Sequence, residues 1–308
     1  MKNRSVTGPH FIGLGGEASG SGFLYTYIAE HPAVILTDRD TRFFCDDTHF
    51  SRGTVWYEGQ LTAGRSHQIR GEAAFGYLAC PQSAERIVRT YPDAKLLAVV
   101  CDPIDRVCRE YRRAKETGRI ARQMSMARYL EVEPQALERG LFGAQLERYF
   151  DYYSSLQLYI CVHEDRFVQP IEYVQSVYTF LEVDQTYVPK ALRQFVPPNN
   201  DEKKHPWYWP FVRLVTLPLR LLRLDRLAYW VWPTLRRQIR RFYTRPTMPH
   251  SRSSLAIPPP LKQSLDPELR SILEEYYGHD VRVLSRLLHR DLNTEWGIAP
   301  PAHPKSVN

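Results

Sequence analysis

The stretch His10-Phe11-Ile12-Gly13-Leu14 opens into Gly15-Gly16-Glu17-Ala18-Ser19-Gly20-Ser21-Gly22, then continues as Phe23-Leu24-Tyr25-Thr26-Tyr27-Ile28-Ala29-Glu30-His31 before Pro32. A short apolar run, a glycine-rich break and a helical segment stopped by proline make a strand–loop–helix unit, the order that aims backbone N–H groups at an anion. Glycine lets the backbone approach a phosphate closely, and the hydroxyls of Ser19 and Ser21 add donors. The loop contains no lysine and so departs from the nucleoside-triphosphatase pattern, which argues against a P-loop kinase or nucleotidase. A tight strand-to-helix turn that binds nothing is the other reading of the same residues.

Outward from this unit, Ala33–Leu36 reads as a second strand, Ala94–Val100 as a third and Leu156–Val162 as a fourth. The run Ala94–Val100 is continuous enough to be buried on both faces, as strands of a parallel sheet are. Helical periods fall between the strands, at Ser83–Tyr91, Ile104–Thr117, Pro134–Tyr153 and Ile171–Leu181. Alternation of this kind predicts an α/β fold: a three-layer, P-loop-type parallel sheet flanked by helices. After Asp266 and Pro267 a further helix is expected to end near Gly278, and another covers Val281–Leu288, giving a helical C-terminal extension.

The chain has 308 residues and a net charge of +7, enough length to bury a large core and too many apolar and aromatic residues for disorder. The charge is concentrated. Residues 201–250 hold eleven basic and three acidic side chains, so the remainder is close to neutral, which speaks against a nucleic-acid binder with a basic face across its domain. Five cysteines (Cys45, Cys80, Cys101, Cys108 and Cys161) show no CxxC spacing, so a zinc site or disulfide framework is not indicated; reduced thiols in the cytoplasm fit better. Residues 1–10 lack a signal-peptide pattern, and no apolar run reaches the length of a spanning helix.

The second chemically suggestive stretch is Cys101-Asp102-Pro103-Ile104-Asp105-Arg106-Val107-Cys108-Arg109-Glu110-Tyr111, which passes from a buried strand into a helix. Ligands of open α/β sheets collect at the carboxyl ends of strands, where this junction lies. Pro103 in a first helical turn with Asp102 or Asp105 as its cap accounts for the same residues without a ligand.

Taken together, these stretches resemble the sulfotransferase family that uses 3′-phosphoadenosine 5′-phosphosulfate (PAPS), in particular its bacterial and glycan-modifying branch. The similarity is ordered along the chain. It runs through Phe11-Ile12-Gly13 to His31-Pro32, Arg39-Asp40-Thr41-Arg42-Phe43-Phe44, Gly71-Glu72-Ala73-Ala74-Phe75-Gly76-Tyr77 and Pro92–Leu97 with Asp102–Arg106. It continues through Gly140-Leu141-Phe142 with Gln145-Leu146, Glu164-Asp165 with Pro170 and Phe180-Leu181, and the closing Leu292-Asn293-Thr294-Glu295-Trp296.

The departures fall on the chemistry. Ala18 stands where the family carries a loop lysine, Ala73 where it carries a second lysine, and Cys101 where a strand-end arginine holds the 3′-phosphate. Arg109 replaces the helix serine that shares that phosphate, and Asp40 replaces a catalytic glutamate. The resemblance implies sulfo transfer from PAPS to a hydroxyl of a carbohydrate or other small acceptor, with no metal. Asp40 would be the general base, Ser19, Gly20, Ser21 and Gly22 would hold the 5′-phosphate, and Arg109 would supply the charge that Cys101 lacks. Two competing readings remain: Asp40 as an inert surface carboxylate beside Arg39 and Arg42, and Arg109 as a solvated helix arginine. The losses at Ala18, Ala73 and Cys101 favour a second function class, a pseudo-sulfotransferase kept as a binding or scaffolding module. His31, His49, His67 and His163 have no spacing partner and read as structural.

Residues 1–200 form the expected sulfotransferase-like core, 201–260 a basic Trp/Leu/Arg-rich helical insertion with a Pro-rich loop, 261–296 the helices that complete the same domain, and 297–308 a tail. Within the insertion, residues 207–241 suit an amphipathic helix at an anionic membrane surface. They also suit a cleft for an acidic glycan, or, as the reading favoured here, a lid whose apolar face packs on the core.

Overall fold

In the computed structural model, five parallel strands make one sheet in the order β2-β3-β1-β4-β5. The elements follow as β1 (Phe11–Gly15), α1 (Ser21–Ala29), β2 (Val34–Thr37), α2 (Asp47–Phe50), α3 (Gly53–Gln60), β3 (Ile69–Ala73), α4 (Ser83–Thr90), β4 (Lys95–Val100) and α5 (Pro103–Glu116). Then come α6 (Met126–Val132), α7 (Gln135–Glu138), α8 (Phe142–Phe150), β5 (Leu158–Val162), α9 (Asp165–Val168), α10 (Pro170–Leu181), α11 (Lys190–Arg193), α12 (Pro267–Leu288) and α13 (Leu292–Trp296). The structure describes residues 8–37, 40–63, 68–193 and 260–298, all within one compact unit; the basic segment 207–241 lies outside the described residues.

Alternation along the central strands builds the three layers. Ile12 and Leu14 of β1, with Leu96, Ala98 and Val100 of β4, join one core with Ile87 of α4, Ile104 of α5, Leu146 of α8 and Leu284 of α12. Phe11, Leu97 and Val99 point the other way, into a second core with Leu24 and Ile28 of α1 and Val174 and Val177 of α10. Both faces of β4 are covered, so its sequence carries no polar alternation. The switch in strand order falls beside β1: the chain leaves it for β2 and β3 on one side and returns through β4 on the other. The loop after β1 therefore opens at the carboxyl edge of the sheet, next to the end of β4.

Three local expectations change. The stretch Ile69–Ala73, Ile-Arg-Gly-Glu-Ala, is a strand inserted between β2 and β1, although it lacks an apolar run. Gly71 belongs there because a Cβ would lie 2.4 Å from the Phe11 ring. The helix expected over 134–153 is broken into α7 and α8. Asp280 reaches across to accept from the N–H groups of Gly143 and Ala144, both at 2.8 Å, and so caps a new helix start. Conversely, α12 runs through Gly278 without a break and stops only at His289, which has left-handed backbone. A mid-helix glycine costs about 1 kcal/mol relative to alanine; burial of Leu273, Tyr277, Val281 and Leu284 on the same helix outweighs it. Ile298, just past α13, is buried in the first core.

Candidate active site

Two turns define the loop after β1. Gly20 has φ 89°, and a Cβ there would sit 2.1 Å from His163 Nδ1, so only glycine fits between the loop and this ring. Gly15, at φ 75°, lies so close to the Ala74–Phe75 backbone that a Cβ would meet the Ala74 carbonyl at 2.1 Å. The loop is thus held between the ends of β3 and β5. Ser19 is fully buried, and its Oγ has no hydrogen-bond partner among the described residues. Ser21 opens α1 and is nearly buried, whereas Gly22 is exposed. The leading N–H groups of an α-helix have no intrahelical partner, so this end of α1 offers donors and positive dipole to an anion.

Two arginines of α5 reach the same loop. Arg109 donates from Nε to the Ala18 carbonyl at 2.9 Å and from Nη2 to Cys101 Sγ at 3.0 Å. The guanidinium therefore spans the two positions, Ala18 and Cys101, where the expected cations are missing. Both acceptors are neutral: burial, opposed by the nearby Arg109 charge, pushes the Cys101 thiol up to about 12. Arg106, fully buried, donates to the Glu17 carbonyl at 3.2 Å and pairs with Glu110 at 2.7 Å. Asp102 caps α5 through the N–H of Ile104 at 2.9 Å and of Asp105 at 3.3 Å.

Two further residues meet at this edge: Lys262, which the sequence reading missed, and His163, which it read as structural. Lys262 arrives from 160 positions away, is nearly buried, and donates from Nζ to Asp102 Oδ2 at 2.6 Å and to the Trp296 carbonyl. His163, just past β5, underlies Gly20; burial, with Arg166 and Arg109 adding to it, lowers its pKa to about 3, so the ring is neutral. Neither has a local pattern that could have announced it. His31 is structural, since its Nδ1 accepts from Ala33 N at 3.1 Å and its Nε2 meets the Asp184 carbonyl at 2.9 Å. His67 and Arg39 lie outside the described residues.

Asp40 is joined to the loop through one turn of backbone. Its Oδ2 accepts from Phe75 N at 3.2 Å and its Oδ1 from Arg42 N at 3.1 Å. The Ala74–Phe75 segment that carries the first donor is also the one that packs on Gly15 and accepts from Tyr25 of α1 at 3.2 Å. Ala73 is buried beside it. Behind Asp40, Glu72 is fully buried and accepts from Thr41 N at 2.9 Å, Thr41 Oγ1 at 2.6 Å, Tyr57 OH at 2.9 Å and Tyr77 OH at 3.1 Å. Burial outweighs these donors and raises the Glu72 pKa from 4.5 to about 7. Glu164, which accepts from Asp102 N at 3.1 Å, is likewise raised to about 7 by burial.

The raised carboxyls give the protein a defined pH dependence. Between pH 4.5 and 7 the folded state holds protons at these two sites that the unfolded chain has released, so stability falls as pH rises through this window. A Glu72→Gln variant cannot release that proton and is expected to lose less stability between pH 5 and 7.5 than the parent, by about 1–3 kcal/mol. Denaturant melts at the two pH values check this, and an identical pH dependence in both proteins would refute it.

A separate cleft of about 640 Å³ lies along α5 between Cys108, Arg112 and Lys115 and the Leu265, Leu269 and Ile272 side of the C-terminal helix. It shares no residue with the loop.

No protein-family model matches the chain. The heparan sulfate glucosamine 3-O-sulfotransferase 5 of Mus musculus is 24% identical over 186 residues, covering 57% of this chain and 54% of that protein. The membrane-associated sulfotransferase kil1 of Dictyostelium discoideum is 29% identical over 106 residues, 33% of this chain and 22% of its own length. The chain thus spans about half the length of the first of these relatives and less of the second. Among solved structures, a sulfotransferase from Alicyclobacillus acidocaldarius superposes with a TM-score of 0.64 at 21% identity, covering 94% of this chain and 99% of its own, which shows a shared fold. With the parallel sheet and the glycine loop at its carboxyl edge, the chain has a sulfotransferase fold and is similar in sequence to these sulfotransferases.

Proposed function

We propose that this protein transfers a sulfo group from PAPS to a hydroxyl of a carbohydrate or other small acceptor. The single observation that carries the reading is the Arg109 guanidinium, hydrogen bonded at once to the loop carbonyl of Ala18 and to Cys101 at the end of β4.

The residues present fit a nucleotide with phosphates at both ends. The unpartnered Ser19 Oγ, the glycine-only approach at Gly20 and the open N-terminus of α1 suit the 5′-phosphate, held by Ser19, Gly20, Ser21 and Gly22. Arg109, whose present partners are uncharged, suits the 3′-phosphate. When bound, the nucleotide supplies an activated sulfo group on its 5′-phosphate. The protein contributes position and charge, as in phosphoryl transfer. Asp40 is oriented by two backbone donors that leave lone pairs on both oxygens, and in this reading it takes the proton of the acceptor hydroxyl.

An Asp40→Asn variant keeps the shape and removes the base. It is expected to lose about 10²-fold or more in turnover while its affinity for 3′-phosphoadenosine 5′-phosphate (PAP) stays within twofold or so. Sulfo transfer from labelled PAPS to a panel of carbohydrates, with calorimetry on the same samples, tests this. Equal turnover in both proteins removes Asp40 from the chemistry.

The second reading, a pseudo-sulfotransferase that binds without catalysing, is favoured by Ala18 and Ala73, each of which removes a cation. Losing one preorganised donor at such a site costs about 10²–10³ in rate. Binding of PAP with no transfer to any acceptor would support it. No helix among the described residues is long and apolar enough to cross a membrane, and contact of residues 207–241 with an anionic membrane surface or an acidic glycan remains part of this proposal.

A further inference from the structure

Cys45 and Cys80 come from segments 35 positions apart, yet the Cys80 sulfur touches the Cys45 backbone. Cys80 Sγ lies 3.9 Å from the Cys45 carbonyl, and each thiol is the largest influence on the other's titration. Both residues are half-buried, whereas Cys101, Cys108 and Cys161 are buried. The surroundings distinguish the two sulfurs. Cys80 lies just before α4: its Sγ donates to Gln82 Oε1 at 3.1 Å, its backbone carbonyl accepts from Ser83 N at 3.3 Å, and the Ser83 hydroxyl donates to the Phe44 carbonyl at 3.2 Å. The neighbouring Cys45, outweighing burial, lowers the Cys80 pKa, the condition for a nucleophilic thiolate. Cys45 is shifted upward by the contact with Cys80 and by burial; it touches the Arg42 carbonyl at 3.5 Å and stays a thiol. The charged groups around the pair are Arg42 and Asp46 from the first segment, Arg86 of α4, which donates to the Phe44 carbonyl, and Arg148 of α8, which donates to the carbonyls of Leu78 and Ala79.

We propose that Cys45 and Cys80 form a reversible dithiol–disulfide pair, a peroxide-sensitive modification site that staples residues 40–45 to residues 74–80. These are the two segments that hold Asp40: its own turn and the turn whose Phe75 N–H it accepts. The Cys80 thiolate attacks one oxygen of a hydroperoxide, the O–O bond breaks, and the alcohol or water leaves with a proton, giving Cys80 sulfenic acid. The Cys45 sulfur then attacks the Cys80 sulfur; the S–S bond forms, and the sulfenic hydroxyl departs as water with the Cys45 proton. The two sulfurs together lose two electrons to the peroxide, and a dithiol reductant reverses the change. Pairing does not depend on the proposed sulfo transfer; only its consequence at Asp40 rests on that reading.

The full chain is treated with hydrogen peroxide, the remaining thiols are alkylated, and peptides are mapped by mass spectrometry before and after dithiothreitol. Two of the five thiols are expected to become unreactive, with one crosslinked Cys45–Cys80 peptide lighter by two hydrogens and restored by the reductant. In Cys45→Ser, dimedone is expected to trap a sulfenic acid on Cys80, and in Cys80→Ser neither product forms. Hydrogen exchange of residues 40–45 and 74–80 is expected to slow on oxidation of the parent and not of either variant. Five reactive thiols after peroxide, a crosslink between other cysteines, or an unlabelled Cys80 in Cys45→Ser would overturn the assignment. None of these readouts requires activity, so failure of the sulfo-transfer reading leaves them unaffected.

Discussion

Replacing Arg109 by alanine is expected to weaken PAP binding about 10- to 100-fold, while affinity for adenosine 5′-phosphate, which has no 3′-phosphate, changes little. The size follows from one charge-assisted hydrogen-bonded contact, about 1.5–3 kcal/mol. Arg109→Lys keeps the charge but loses the fork that spans Ala18 and Cys101, and should fall between parent and alanine variant. A purely architectural arginine would behave differently. Without it the loop would loosen, both nucleotides would bind more weakly by the same factor, and the preference for the 3′-phosphate would survive. Calorimetric titration of both nucleotides into the three proteins separates these outcomes.

The largest effect on stability is expected at Glu110. Its carboxylate is nearly buried and gathers Arg106 at 2.7 Å, Tyr129 at 3.0 Å and two bonds from Arg139. Burial alone would raise its pKa, but the arginines outweigh burial and hold the carboxyl below its usual range. Glu110→Ala leaves the Arg106 charge, fully buried, without its partner, at a cost of about 3–5 kcal/mol. Against a total stability of about 5–15 kcal/mol, the melting temperature should fall on the order of 10 °C. Because Arg106 also holds the Glu17 carbonyl, the loop should exchange its amide protons faster in whatever fraction stays folded. A melting temperature within about two degrees of the parent contradicts this account. Arg106→Met with Glu110→Leu, which removes both charges, should recover much of the loss.

What the sequence disclosed depended on whether the cause was local. The strand–loop–helix unit was legible because apolar residues end abruptly at glycines, and α5 because Pro103 and Asp102 mark its start. The link between Arg109 and Cys101 was legible from a spacing of two helical turns. Strand β3 was not, since Arg70 and Glu72 mask its pattern; Glu72 is tolerated inside only because Thr41, Tyr57 and Tyr77 converge on it from other elements. Lys262 against Asp102, and His163 beneath Gly20, are likewise products of tertiary assembly, as is the Asp280 cap that splits one expected helix in two. Asp40 was found through family resemblance, while its tie to Gly15 through the Ala74–Phe75 turn emerged only with the fold.

The central claim, that the loop at Ser19–Gly22 and the Arg109 guanidinium together grip a 3′,5′-bisphosphorylated adenosine, is tested most directly by titrating the full chain with PAP and, separately, with adenosine 5′-phosphate. The account predicts micromolar binding of PAP and at least roughly 10-fold weaker binding of adenosine 5′-phosphate. Absence of heat at millimolar PAP, or equal affinity for the two nucleotides, would contradict it.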